Sequence, residues 1–241
     1  MRIIQLSFLV VCSTVIFTGC ATSGRHVLLK EYNPTVPPKA DSLLKGATVS
    51  IKAFGDAFNI NNNLEDNVGS KTTEEPQGYS YIKMTPEQEK AWNRDVEARK
   101  RSSSEKDWKA IGYVRNGFGM VMSKVYAINS PVEWLTDTLK MDLQQQGAQV
   151  VDTSQAGTAT VSIEGTIRYF KIDIYMAYWA DLIVDVQIRV KDKPPINRTI
   201  HTRAGQTAWS TSSFEYYQSM RQCQQKLSRI VLAEIEKELK N

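Results

Sequence analysis

Cysteine, histidine and paired carboxylates are the side chains here whose types and spacing could carry chemistry. The histidines are His26 and His201, and the cysteines are Cys12, Cys20 and Cys223. One histidine lies in a proline-containing polar stretch and the other in a strand-like run, so they supply neither the ligand cluster of a zinc site nor the base of a Ser-His-Asp arrangement. No catalytic residue and no metal ligand is assigned. The carboxylates Asp56, Asp173 and Asp181 fall near the ends of strand-like segments, where a pair could trade protons or hold a cation, yet nothing in their spacing brings them together. Cys223 recurs at helical spacing with Met220 and Leu227, the place of a buried small hydrophobe. That leaves Cys20.

Arg2 is the single charge ahead of an apolar and small-polar run from Ile3 to Phe17. The run is too short for the roughly 20 residues that cross a bilayer and has the length of a signal-peptide core. It closes on Phe17-Thr18-Gly19-Cys20, which resembles the lipobox of bacterial lipoproteins, with Phe17 where leucine is usual. The resemblance implies cleavage between Gly19 and Cys20, a diacylglycerol on the Cys20 thiol and a further acyl chain such as palmitate on the new amino terminus. One acyl chain holds a protein at a membrane marginally; two or more hold it stably. Ala21 rather than aspartate follows, which in lipoproteins resembling the enterobacterial type implies the periplasmic side of the outer membrane in preference to the inner membrane. Beyond these covalent lipids no cofactor is expected.

Removing residues 1–19 leaves 222 of the 241 residues, enough for one well-cored domain. The net charge is +4, or +3 once Arg2 is lost, and Lys and Arg are scattered among Asp and Glu. Such a balance gives no basic patch, so nucleic acid is not an expected partner. With Cys12 in the leader and Cys20 acylated, Cys223 has no mate for an internal disulfide.

These residues need elements to place them. Residues 20–45 contain Pro34, Pro37 and Pro38 and little periodicity, and read as a lipidated cysteine followed by a flexible tether. Residues 46–241 read as one domain, beginning with a strand in which Val49, Ile51 and Ala53 share a face. A polar, partly helical insertion spans 57–110; its helix starts at Thr85-Pro86-Glu87-Gln88 and has Trp92 and Val96 as its docking residues. Residues 111–128 have strand character, with Asn116-Gly117 as a turn. Ser130-Pro131-Val132-Glu133 opens a helix with the stripe Val132, Leu135, Leu139 and Leu143, ended by Gly147. An antiparallel meander follows, in which the alternation of Val161, Ile163 and Ile167 shifts phase to Phe170, Ile172 and Ile174, predicting a bulge near Arg168-Tyr169. A long helix closes the chain from Ser212 or Ser213, with the stripe Tyr217, Met220, Cys223, Leu227 and Ile235. The expected class is α+β: a two-layer sandwich, mostly antiparallel, of five or six strands with two helices on one face.

Tyr169, Phe170, Tyr175, Tyr178 and Trp179 gather at one hairpin of this meander. Strand aromatics often fill a core. Amphipathic ones can also grip a lipid, a glycan or a protein, and Tyr175, Tyr178 and Trp179 are the candidate binding residues. The order of elements over 46–56 and 111–239 resembles the YajG-type family of small bacterial lipoproteins and, more distantly, the auxiliary lipoproteins of envelope lipid transporters. The resemblance supplies no catalytic residues. An anchored, tethered domain with no catalytic set is expected not to be an enzyme but a membrane-anchored lipoprotein facing the periplasm, which binds a partner protein or envelope component as a structural or assembly factor. The alternative is an accessory that handles a lipid or glycan in envelope transport.

Overall fold

A computed structural model describes residues 24–29, 36–61, 85–174, 177–207 and 213–240. Gly19, Cys20 and Tyr175 lie outside them. The strands are β1 (Arg25–Val27), β2 (Thr48–Ile51), β3 (Gly55–Asp56), β4 (Lys109–Arg115), β5 (Val121–Ala127), β6 (Gln149–Val151), β7 (Val161–Ile174), β8 (Ala177–Val190) and β9 (Ile196–Thr207). The helices are α1 (Pro86–Ser102), α2 (Pro131–Gln145) and α3 (Ser213–Lys240).

The fold is α+β, and β7 is its spine. Along one edge β7 pairs antiparallel with β8, and β8 in turn with β9, as the alternating sequence predicts. The phase shift is a bulge: Ile167 faces Val184 and Tyr169 faces Ile183, leaving Arg168 as the extra residue. On its other edge β7 takes three short strands in succession, all parallel to it: β2 beside Val161–Ile163, β3 beside Thr166 and Ile167, and β4 beside Ile172–Ile174. Parallel β6 extends the sheet beyond β2, antiparallel β5 beyond β4, and parallel β1 beyond β5.

Among the described residues the expected five or six mostly antiparallel strands therefore become a mixed sheet of nine. The shortest-connection rule holds for the meander and for the β4–β5 hairpin. The chain returns from β2 and β4 to β7 only after long crossovers, which deliver it in the same direction. Strands of two or three residues, such as β1 and β3, are too short to leave an alternating signature.

Among the described residues three helices complete the core, the two expected on the sheet and the one expected in the insertion. α3 lies along β8 and β9, burying Tyr217, Met220, Cys223, Leu227, Val231 and Ile235. α2 buries Leu135, Leu139 and Leu143 beside β2 and β6, and Ser130 Oγ caps it by accepting from the Glu133 amide. α1 is polar apart from Trp92 and Val96, both buried; the Trp92 ring sits 4.6 Å from Tyr217 and 5.6 Å from Phe214 on α3. Its first turn is closed by the expected capping box between Thr85 and Gln88. Among the described residues no helix is long and apolar enough to cross a membrane.

The described parts of the expected tether are packed on the domain. β1 joins the sheet, and Asn129 exchanges two hydrogen bonds with the Leu29 backbone, at 2.9 and 2.7 Å. Further on, the Val36 amide donates to Asp142, the Lys39 amide to Gln146, and Gln146 to the Pro37 carbonyl. Val27, Leu29, Val36 and Leu44 are buried. Backbone groups that no strand pairs are matched here by the side chains of Asn129, Asp142 and Gln146, in and flanking α2, which period counting does not detect.

The β4–β7 seam depends on Gly112, where an added Cβ would stand 2.0 Å from the Ile172 carbonyl oxygen. Gly117, in the β4–β5 turn, has nothing within 4 Å of such a Cβ. Gly112→Ala is expected to cost at least about 1–3 kcal/mol in urea unfolding, and Gly117→Ala almost nothing. Equal midpoints for the two variants would contradict the seam.

Candidate binding surface

Alternation sends every second residue of the meander away from the helices. From the bulge onward this face carries Tyr169, Lys171 and Asp173 on β7, Trp179, Asp181 and Ile183 on β8, and His201, Arg203 and Gly205 on β9. Register sets Trp179 opposite Gly205 and Asp181 opposite Arg203, with His201 one step away beside Ile183.

Asp181, only 8% exposed, is held by His201 Nε2 at 2.9 Å and faces Arg203 Nε at 3.7 Å. The Arg203 guanidinium lies 4.9 Å from the centre of the Trp179 ring. Gly205 makes room for that ring, since a Cβ there would stand 2.4 Å from Trp179 Cε3. Trp179 still leaves 43% of its surface exposed. Beside it, Asp173 receives Arg115 Nε at 2.9 Å, and this bond raises the arginine's already high pKa. Lys171 Nζ stands 5.3 Å from the Tyr113 ring centre and 5.9 Å from that of Tyr169. Burial, with the Asp181 and Asp173 charges adding to it, pushes the Tyr169 hydroxyl up to about 12. Towards the β8–β9 turn the chain forms an open polar hollow of about 620 Å³, lined among others by Lys52, Glu164, Arg168, Asp185 and Asn197.

Of the three carboxylates singled out in the sequence, Asp173 and Asp181 come to this one face on adjoining strands, and Asp56 lies apart on β3. Asp56 pairs with Lys109 at 2.6 Å, Asp173 with Arg115 and Asp181 with His201. Each has a hydrogen-bond partner of its own, Lys109, Arg115 and His201 in turn. Among the described residues no group of three His, Cys, Asp or Glu is placed to hold a metal ion. Cys223 is buried, its Sγ donates to the Ala180 carbonyl at 3.1 Å, and burial pushes its thiol pKa far up. His26 packs edge-on against Trp108 at 4.7 Å, and burial followed by the Lys100 charge lowers its pKa.

Of the candidate binding residues, Trp179 alone presents a surface among the described ones. Tyr178 points the other way into the core, its ring 5.1 Å from that of Tyr216, and burial raises its hydroxyl pKa. Adjacent strand residues alternate faces, so Tyr178 and Trp179 never shared one. Tyr175 lies outside the described residues, as do Cys20 and Gly19. His201 and Arg203 were missed because their meeting with Asp181 depends on the β8–β9 register. The β4–β5 turn also went unread as a surface: Phe118 is 89% and Met120 58% exposed.

What fold and surface define is a mixed-sheet α+β domain with an aromatic, ion-paired face. No protein-family model and no curated protein sequence matches the chain. Among solved structures, its fold is similar to that of protein XCC0632 from Xanthomonas campestris, of the DUF330 family, with a TM-score of 0.51 at 11% identity over 90% of this chain and 99% of that one. A crystal structure of an uncharacterized protein gives a TM-score of 0.44 at 11% identity, over 88% of this chain and 99% of that one. The hypothetical protein CT253 from Chlamydia trachomatis gives 0.29 at 11% identity, over 81% and 98%.

Burial of Tyr169 and Tyr216 makes stability pH-dependent. Both hydroxyls are pushed up to about 12, Tyr216 also chiefly by burial, whereas an unfolded tyrosine ionises near ~10. The unfolded chain thus releases protons first as pH rises, so stability is intact below ~10 and falls from there towards the folded values. Urea midpoints across this range should decline, and Tyr169→Phe should flatten the decline; a flat wild-type curve would contradict the assignment. Under native conditions Cys223 should resist thiol reagents, and react once the chain is unfolded.

Proposed function

We propose that this chain is a lipid-anchored bacterial envelope protein, held at the outer membrane on its periplasmic side through acyl chains on Cys20. Its domain serves as a non-enzymatic structural or assembly factor that binds a partner protein or envelope component, in the manner of YajG-type lipoproteins. The observation that carries this reading is the motif Phe17-Thr18-Gly19-Cys20 at the close of the short apolar run. On the described face Asp173 and Asp181 each hold a partner of their own, Arg115 and His201, which fixes the shape of the surface that a partner would meet. The fold likeness to the DUF330 protein concerns the domain's architecture only.

A second reading, handling of a lipid or glycan in envelope transport, is favoured by the exposed Trp179 ring beside Arg203. Flat aromatic surfaces flanked by hydrogen-bonding side chains suit sugar rings and headgroups. Mass spectrometry of small molecules retained by the purified protein separates the two readings, because an accessory of that kind carries a ligand.

The anchor is tested by Cys20→Ser. The wild-type chain should fractionate with membranes and yield an amino-terminal peptide that begins at an acylated Cys20, whereas the variant should lose both properties. A variant still acylated and membrane-bound would overturn the proposal. For the partner, crosslinking in intact envelopes should capture a defined second protein; recovery solely as a free monomer argues against it.

A further inference from the structure

The β4–β5 hairpin ends in an apolar tip that the proposed function leaves unused. Phe118, Met120, Val121 and Met122 are 89%, 58%, 50% and 40% exposed, the largest run of exposed apolar side chains described. The tip is nevertheless a built turn. Asn116 Oδ1 accepts from the Phe118 and Met120 amides, each at 3.0 Å, and the Asn116 amide donates to the Met120 carbonyl. Gly119, at φ +81°, donates to the Asn116 carbonyl, while its own carbonyl accepts from Arg115 Nη1 at 3.1 Å. Much of the loop's backbone polarity is thus satisfied inside the hairpin. Unsatisfied amides and carbonyls are what keep ordinary loops out of hydrocarbon. This turn escapes much of that penalty while presenting apolar side chains outward.

Its position relative to the anchor follows from register. β1 runs parallel to β5, with Arg25 opposite Val125 and Val27 opposite Ala127, so the chain before β1 starts from the flank of β5 facing the tip. Only residues 21–23 separate Gly24 from Cys20, and that distance spans at most ~14 Å. From Lys124 back to Met120 the hairpin covers about the same ~14 Å. An acylated Cys20 therefore cannot hold a bilayer surface beyond the reach of the tip. Arg25 and Lys124, both exposed, flank the approach with positive charge suited to anionic headgroups.

We propose that the Phe118–Met122 tip is a second membrane contact, inserting into the interfacial layer of the phospholipid bilayer that Cys20 anchors. The inference rests on the lipoprotein reading of Cys20. With one tethered point the domain could swing freely. Seating the tip adds a second contact and fixes which end faces the lipid.

The test uses the full mature protein reconstituted in nanodiscs of phosphatidylethanolamine and phosphatidylglycerol. An environment-sensitive fluorophore is attached through Phe118→Cys, with Gly157→Cys as the control. Phe118 is largely in solvent, and a Cβ at Gly157 meets nothing within 4 Å, so neither change disturbs the core; buried Cys223 stays unlabelled. Acylation of Cys20 is read from the intact mass of the same sample. With Cys20 acylated, the label at 118 should shift to shorter wavelength and lose emission to nitroxide-bearing lipids, and the label at 157 should do neither. An acylated chain whose tip label stays water-exposed and unquenched overturns this inference alone and leaves the surface to a protein partner. An unmodified Cys20 overturns the lipoprotein reading and this inference together.

Discussion

A strand of fourteen residues inside a sheet must have its backbone paired along both edges, and the rest of this molecule is arranged around meeting that demand for β7. One edge is met by a single equally long partner, β8. The other is met piecewise by β2 and β3, which lie close together in sequence, and by β4, all of them far from β7 along the chain. Piecewise pairing has a structural consequence. Between β3 and β4 the chain can leave the sheet, carry α1, and return to the same edge without breaking the ladder. That excursion is tied down by its own apolar residues: Trp92 and Val96 on the α3 side, and Phe58, whose ring lies 5.5 Å from Phe170.

Helices and amino-terminal residues are joined by polar groups as much as by apolar ones. Asp142 on α2 is fully buried; its Oδ1 accepts from the Val36 amide and its Oδ2 from Gln224 on α3, which also donates to Ser228. A buried carboxylate must have such partners or lose stability by several kcal/mol, of order 3–5 when one partner of a charged pair is removed. The requirement makes the junction selective, because residues 36–39 must present the Val36 amide to Asp142 and the Lys39 amide to Gln146 together. This is the physical reason a proline-containing stretch without hydrophobic period is nonetheless fixed in place.

Features governed by local period were legible in the sequence. Caps at Thr85 and Ser130, the stripes of α2 and α3 and the bulge at Arg168 depend on residues within a few positions of one another, and each stands where reading the chain placed it. Features set by register were not legible. Parallel pairing of β2, β3 and β4 needs contacts spanning the long crossovers, and the three residues of β1 carry no period at all. The candidate surface divides the same way. Trp179 is identifiable from its residue type, but its Gly205 floor and the meeting of Asp181, His201 and Arg203 appear only once β8 and β9 are set in register. Tyr178 shows the converse error, in which clustering along the sequence was taken as clustering on a face.

The long axis of β7, ~43 Å at the usual rise per residue, separates two ends of different character. At its carboxyl end stand the β4–β5 tip, Trp179 and the Asp173–Arg115 pair, because Val114 lies beside Ile174 and Trp179 opposite Asp173. Towards the other end lies the polar hollow around Lys52, Glu164 and Asn197. If the tip and Cys20 share one membrane surface, the Trp179 face stands side-on near the headgroups while the hollow is held tens of ångströms further out. A ligand drawn from lipid would then meet Trp179 first, and a periplasmic protein would meet the hollow first. The two readings of function thereby become two regions of one sheet face, with the orientation of the domain deciding which of them a given partner can reach.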